Sequence, residues 1–161
     1  MKLSLFSVSY AGLWGQQRLD LPDLLARAAQ LGFEGVMLMG KRPHLSPLDI
    51  SDQALASLRS ALKEHGVKCA VIAAYTDLSG AGAAEVPYLE MQIAYVQALA
   101  RVARQLDADI IRVFTAYEVD GQSPQAVWDR VVRALREICD RAAEENVTIA
   151  VQNHHDIAVH S

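Results

Sequence analysis

The chain has 161 residues and a mass of 17.6 kDa, and its 52% hydrophobic and 21% charged residues are the composition of a soluble globular protein with one domain and a real core. A net charge of −4 and a pI near 5.7 leave out the basic stripe that phosphate neutralisation requires, so nucleic acid is not the expected partner. No apolar run approaches the roughly 18 residues of a membrane span, and no membrane is expected as a partner.

In chain order, the opening "MKLSLFSVSYAGLWG" carries one Lys and an alternating pattern in place of a long apolar block. It reads as a first strand and not as a signal peptide. A helix is expected over "DLPDLLARAAQLG", with Asp20 as cap, Pro22 just inside, and Leu21, Leu24, Leu25 and Ala28 on one face. The second strand is "FEGVMLM", followed by the loop "GKRPHLSPLD" and a helix capped by Ser51. Gly32 and Gly66 close the first two helices. The third strand is "VKCAVIAAY", and the Gly-rich "SGAGAAE" after it lacks the Lys and Ser/Thr of a phosphate-binding loop, so it reads as a flexible connection. A long helix covers "YLEMQIAYVQALARVARQL", the fourth strand is "DIIRVFTAY", the fourth helix starts at Ser123 and Pro124, and the fifth strand is "VTIAVQN".

The expected architecture is therefore five strands alternating with four helices at intervals of roughly 30 to 40 residues, the spacing of βα units. Strict alternation implies parallel strands with right-handed crossovers, in an open doubly wound sheet or a (β/α)8 barrel. The glycines of "YAGLWG" do not fit the spacing of a dinucleotide-binding turn. Cys69 and Cys139 are too few for a disulfide framework and read as buried thiols in a reducing cytoplasm.

Side-chain alternation sorts the polar residues by face. In the fifth strand Val147, Ile149 and Val151 share one side, while Thr148, Ala150, Gln152 and His154 share the other. In the fourth, Ile111 and Val113 oppose Ile110, Arg112 and Phe114. A face of small residues that turns polar at its C-terminal end is how a barrel strand leads up to a site. Arg112 on that face is an anion anchor for substrate or half of a structural ion pair, and both readings stand.

The segments "GFEGVMLMGKRPHLSPLD", "IIRVF" and "VTIAVQNHHD" together resemble the sugar phosphate isomerase/epimerase superfamily, the xylose-isomerase-like TIM barrels that include the endonuclease IV fold. The resemblance runs from the first strand through the fifth. It implies a parallel (β/α)8-type TIM barrel of which residues 1–161 hold about the first five strands and four helices, as the N-terminal part of a longer enzyme of roughly 250 to 300 residues. It further implies proton transfer next to a carbonyl of a sugar, sugar phosphate or related polyol or keto substrate, with a divalent metal (Mn2+, Mg2+ or Zn2+) that this chain does not fully ligate. In the family the fifth strand ends in a metal-binding Glu, and the matching residue here is Gln152. An amide oxygen can ligate a hard cation but brings no charge and cannot serve as a base, so Gln152 is a metal ligand or a substrate-orienting amide. The family's other ligands come from later strands.

His154 and His44 are the expected substrate or metal contacts, with Arg112, and Tyr10 and Trp14 are candidates to wall the pocket. Lys41 and Arg42 are charged loop neighbours of His44 that hold an anion or stand in solvent. His155 and Asp156 read as strand-end and turn residues, Glu118 is an acid or base by position only, and His65 is explained by a helix end. His160, near the chain end, carries no reading. The reading from another class is a non-catalytic half-barrel that binds a ligand or forms a homo-oligomer through its open sheet edge. An abasic-site endonuclease is disfavoured by the acidic balance.

Overall fold

A computed structural model describes residues 2–80, 85–118 and 120–154. Strands β1 (Ser4–Phe6), β2 (Gly35–Met39), β3 (Lys68–Ala73), β4 (Ile110–Val113) and β5 (Thr148–Val151) form one parallel sheet in sequence order. Between them run α1 (Leu21–Gln30), α2 (Asp52–Glu64), α3 (Tyr88–Gln105) and α4 (Pro124–Ala143). The arrangement is the alternating α/β fold of a TIM-type barrel.

One face of the sheet is dry because its strands place aliphatic residues in register. Leu38 pairs with Ile72, Ile72 with Ile111 and Ile111 with Ile149, so a single row crosses four strands. The first three of these side chains have no exposed surface. Burying each contributes about 1.5 to 3 kcal/mol. The helices supply the opposing layer: Leu24, Leu25 and Ala28 of α1, Leu55, Leu58 and Leu62 of α2, Val96, Leu99 and Ala103 of α3, and Val131, Ala134 and Ile138 of α4. Their spacing of three and four residues is the helical period.

The other face is concave and half-buried at Phe6, Met37, Ile110 and Ala150. Its curvature brings β1 and β4, which are not neighbours in the sheet, close enough for the Phe6 ring to lie 6.0 Å from the Arg112 guanidinium carbon. Gly35 sits where a Cβ would meet Ser4 Oγ at 2.8 Å and the Lys68 carbonyl at 3.2 Å. Glycine is needed there for the strands to close up.

Several boundaries differ from those expected. β1 stops at Phe6 because Ser7–Tyr10 turns into a 3-10 segment, and Ser7 Oγ accepts a 2.8 Å bond from the Met39 amide in place of a ladder partner. β4 stops at Val113 because Thr76 Oγ1 takes both the amide and the carbonyl of Phe114. The register shifts between Val36 and Met37, where β3 carries an extra residue. Asp20 and Ser51 cap their helices through side-chain bonds to Asp23 and Ala54, but Ser123 makes none. Pro124, with its preset φ, starts α4 without that bond. Gly32 and Gly66 take left-handed φ values of 78° and 66° just past their helices, as expected. Cys69 is buried, and desolvation pushes its thiol up to about 12. Cys139 corrects the buried-thiol reading: it is exposed, because it stands off the stripe of α4 that carries Val131, Ala134, Ile138 and Ala142 inward. No helix among the described residues is long and apolar enough to cross a membrane.

Candidate functional site

The chemistry gathers at the C-terminal ends of the strands, where the concave face opens. Arg112 is its centre. Only 5% exposed, its guanidinium donates from Nη1 to the Ala74 carbonyl at 3.0 Å and stacks on aromatic rings, 4.1 Å from the centroid of Phe114 and 5.0 Å from that of Tyr75. Its Nε is buried and has no hydrogen-bond partner among the described residues. Burial lowers its pKa from the ordinary value, opposed by the nearby Tyr75 hydroxyl, yet an arginine keeps its charge.

Lys41 joins it. The ammonium lies 3.8 Å from the Tyr75 ring centroid, and its pKa is lowered by burial and then by the charge of Arg112. Among the described residues neither cation forms an ion pair, although Arg42, Arg59, Arg101, Arg104 and Arg141 all do. The ion-pair reading of Arg112 therefore has no acidic partner among those residues. Tyr95, from α3, holds the frame: its hydroxyl donates to the Gly40 carbonyl at 2.7 Å and accepts from the Tyr75 amide at 3.3 Å. Burial raises the pKa of both tyrosines and keeps them neutral donors.

On the β5 side, His154 presents its ring edge to Phe114 with centroids 4.8 Å apart. Gln152 continues the pairing of β5, its amide donating to the Val113 carbonyl at 3.0 Å, and it is exposed. Arg112, His154 and Gln152 thus converge around the ends of β4 and β5.

The other expected residues lie elsewhere. His44 is 9% exposed, and its Nε2 sits 3.1 Å from the Leu19 carbonyl, which assigns the proton to that nitrogen and ties the β2–α2 loop to the β1–α1 loop. Tyr10 is half-buried, and its hydroxyl accepts from Arg27 of α1 at 3.5 Å. Trp14 is 75% exposed. Arg42 is held by Asp49, so of the two basic residues near His44 it is Lys41 that lies over the Tyr75 ring on which Arg112 also stacks. Glu118 is exposed, and His65 closes α2 through its backbone amide. His155, Asp156, His160 and most of the Gly-rich stretch lie outside the described residues. Tyr75 and Tyr95 were not anticipated. A tyrosine ending an apolar strand run was the available signal for the first, while the second reads as an ordinary residue of a helix stripe.

Among the described residues the buried Nδ1 of His44 has no hydrogen-bond partner, so charging the ring would strand a second proton, and its pKa is lowered chiefly by burial. The fold favours the neutral ring: its contribution is full above the ordinary value of 6.5 and is lost as pH falls through the lower folded value. Urea midpoints measured from pH 8 to pH 5 are expected to fall more steeply for the wild type than for His44→Gln. Parallel curves would contradict this.

Among the described residues no three His, Cys, Asp or Glu side chains come together in a group able to hold a metal ion. Gln152 and His154 offer one neutral oxygen and one nitrogen. They do not make a metal site by themselves.

The parallel, inwardly polar arc identifies a class, the βα barrels with their site at the C-terminal end of the strands. Residues 25–160 match the xylose isomerase-like TIM barrel family, and the chain belongs to it. Among solved structures, the probable 3-DHS dehydratase AsbF of Bacillus anthracis superposes with a TM-score of 0.76 at 22% identity, over 98% of this chain and 54% of that one. The D-psicose 3-epimerase of Clostridium cellulolyticum H10, solved with D-tagatose, gives 0.72 at 18% identity over 92% and 51%. The IolI protein, solved with a zinc atom, gives 0.72 at 16% over 99% and 54%. The chain spans about half the length of these structures. No curated protein matches it by sequence.

Proposed function

We propose that this chain forms the N-terminal arc of an isomerase or epimerase barrel that moves a proton next to the carbonyl of a small polar substrate, in a protein of the cytoplasm. The observation that carries the reading is the convergence of Arg112, Lys41, Tyr75 and His154 at the strand ends of a xylose isomerase-like barrel, where such folds do their chemistry. The epimerase fold neighbours support it. In this arc the guanidinium and the ammonium orient the substrate through its oxygens, the stacked rings exclude water from one side of it, and His154 stands where an imidazole can hold or pass a proton.

A resident divalent ion would supply polarisation of the carbonyl. Gln152 would lend it one amide oxygen, and the remaining ligands would come from residues other than those described. In D2O with Mn2+ and a panel of neutral ketoses and keto acids, the complete protein is expected to wash deuterium into the carbon beside the carbonyl, read by proton NMR. A folded protein that exchanges nothing across the panel would leave the binding-module reading in its place. Gln152→Ala is expected to weaken Mn2+ binding, and unchanged affinity would remove Gln152 from the ligands.

A further inference from the structure

The guanidinium of Arg112 has three nitrogens, and the fold engages it through the Ala74 carbonyl and the Tyr75 hydroxyl. Nη1 is committed to the Ala74 carbonyl, while Nε, on the edge it shares with Nη2, has no hydrogen-bond partner among the described residues. That edge has a known preference within this same protein. Arg42 holds both carboxylate oxygens of Asp49 through Nε and Nη2, at 2.6 and 2.5 Å. Arg59 holds Asp107 through the same two atoms, at 3.0 and 2.7 Å. Both of those pairs are exposed, where a carboxylate adds little. At Arg112 the same fork lies in a side chain that is almost wholly buried, its Nε has no partner among the described residues, and no described carboxylate pairs with it.

A buried cation without a counter-ion is costly. Aromatic faces offset part of that cost, and Phe114 and Tyr75 supply them. They do not satisfy the Nε–H. Lys41 adds a second cation to the cluster, and the two charges raise each other's cost unless an anion lies with them. An arginine fork takes two oxygens of one anion at once, and the two other forks of this protein described above both hold a carboxylate.

We propose that Arg112 and Lys41 form a carboxylate-binding subsite, so that the substrate of this barrel is a polyhydroxylated acid and not a neutral sugar. The proposal rests on the isomerase or epimerase reading for its meaning, but its test needs no turnover. Arg112 takes the carboxylate through Nε and Nη2, Lys41 closes on one of its oxygens, and the hydroxylated carbons then extend toward His154 and Gln152.

Two probes isolate the charge: D-gluconate and sorbitol, which share a chain of hydroxyls and differ at one end. Titrated into the complete protein and followed by the Arg112 Nε–H signal in nitrogen-15 NMR and by calorimetry, gluconate is expected to bind at least roughly tenfold more tightly than sorbitol, the factor set by a charge-assisted bidentate pair. Arg112→Lys, which keeps the charge without the fork, is expected to lose most of that preference, and Lys41→Met part of it. Equal binding of the two probes by the wild type would overturn the proposal, and that comparison depends on no variant folding. So would inorganic phosphate binding more tightly than gluconate, or a folded Arg112→Lys with the wild-type preference. Deuterium exchange into neutral ketoses together with no gluconate preference would sink the carboxylate subsite and leave the proton-transfer reading standing. A gluconate preference without exchange into any substrate would do the reverse.

Discussion

Thr76→Val is expected to lower the free energy of unfolding by about 2 to 6 kcal/mol, because two buried backbone groups lose their partner at once and each costs about 1 to 3 kcal/mol. The hydroxyl of Thr76, 1% exposed, donates to the Phe114 carbonyl at 2.6 Å and accepts from the Phe114 amide at 2.9 Å. Valine fills the same space and satisfies neither group. Thr76→Ser is expected to recover most of the loss, since it keeps the hydroxyl and removes one methyl. Urea unfolding of the three proteins decides the matter, and a serine variant as unstable as the valine one would show that packing, not hydrogen bonding, is at work. The effect reaches the site, because the ring of Phe114 carries Arg112 on one contact and His154 on another.

Ile72→Ala is the second large loss, expected at about 2 to 5 kcal/mol. Ile72 stands in the middle strand of five, without exposed surface, between Leu38 and Ile111. Neighbours on both strands and a helix layer above prevent the hole from collapsing. The same truncation at Ile149, at the end of the row and half-buried, is expected to cost less. Equal losses at the two positions would mean that the row is not the continuous core described above. Against a typical total of roughly 5 to 15 kcal/mol, either of the larger substitutions takes a substantial share of the stability of this fold.

What the sequence made legible was local. Alternation in "IIRVF" put Arg112 and Phe114 on one face, and helical spacing put Leu24, Leu25 and Ala28 on another; both follow from backbone geometry that operates within a few residues. What stayed hidden depends on partners far apart in the chain. The Tyr95 hydroxyl meets a carbonyl 55 residues away, Thr76 meets Phe114 at a separation of 38, and His44 turns back 25 residues to Leu19. Nothing in the local pattern distinguishes a tyrosine that bridges two strand ends from one that fills a helix stripe. The resemblance favoured His44 in its loop as a substrate or metal contact; the structure bonds its Nε2 to the Leu19 carbonyl and sets the nearby Lys41 ammonium over the Tyr75 ring.

The strand order β1-β2-β3-β4-β5 has a consequence for how the molecule comes into being. Each strand pairs with the one synthesised just before it, so no strand has to wait for a distant segment to supply its neighbour. A chain leaving the ribosome can add one βα unit at a time onto a surface already laid down, and at the growing side of the sheet only the newest strand awaits a neighbour. Growth by accretion keeps brief the interval in which a strand on the growing side is open to the wrong partner.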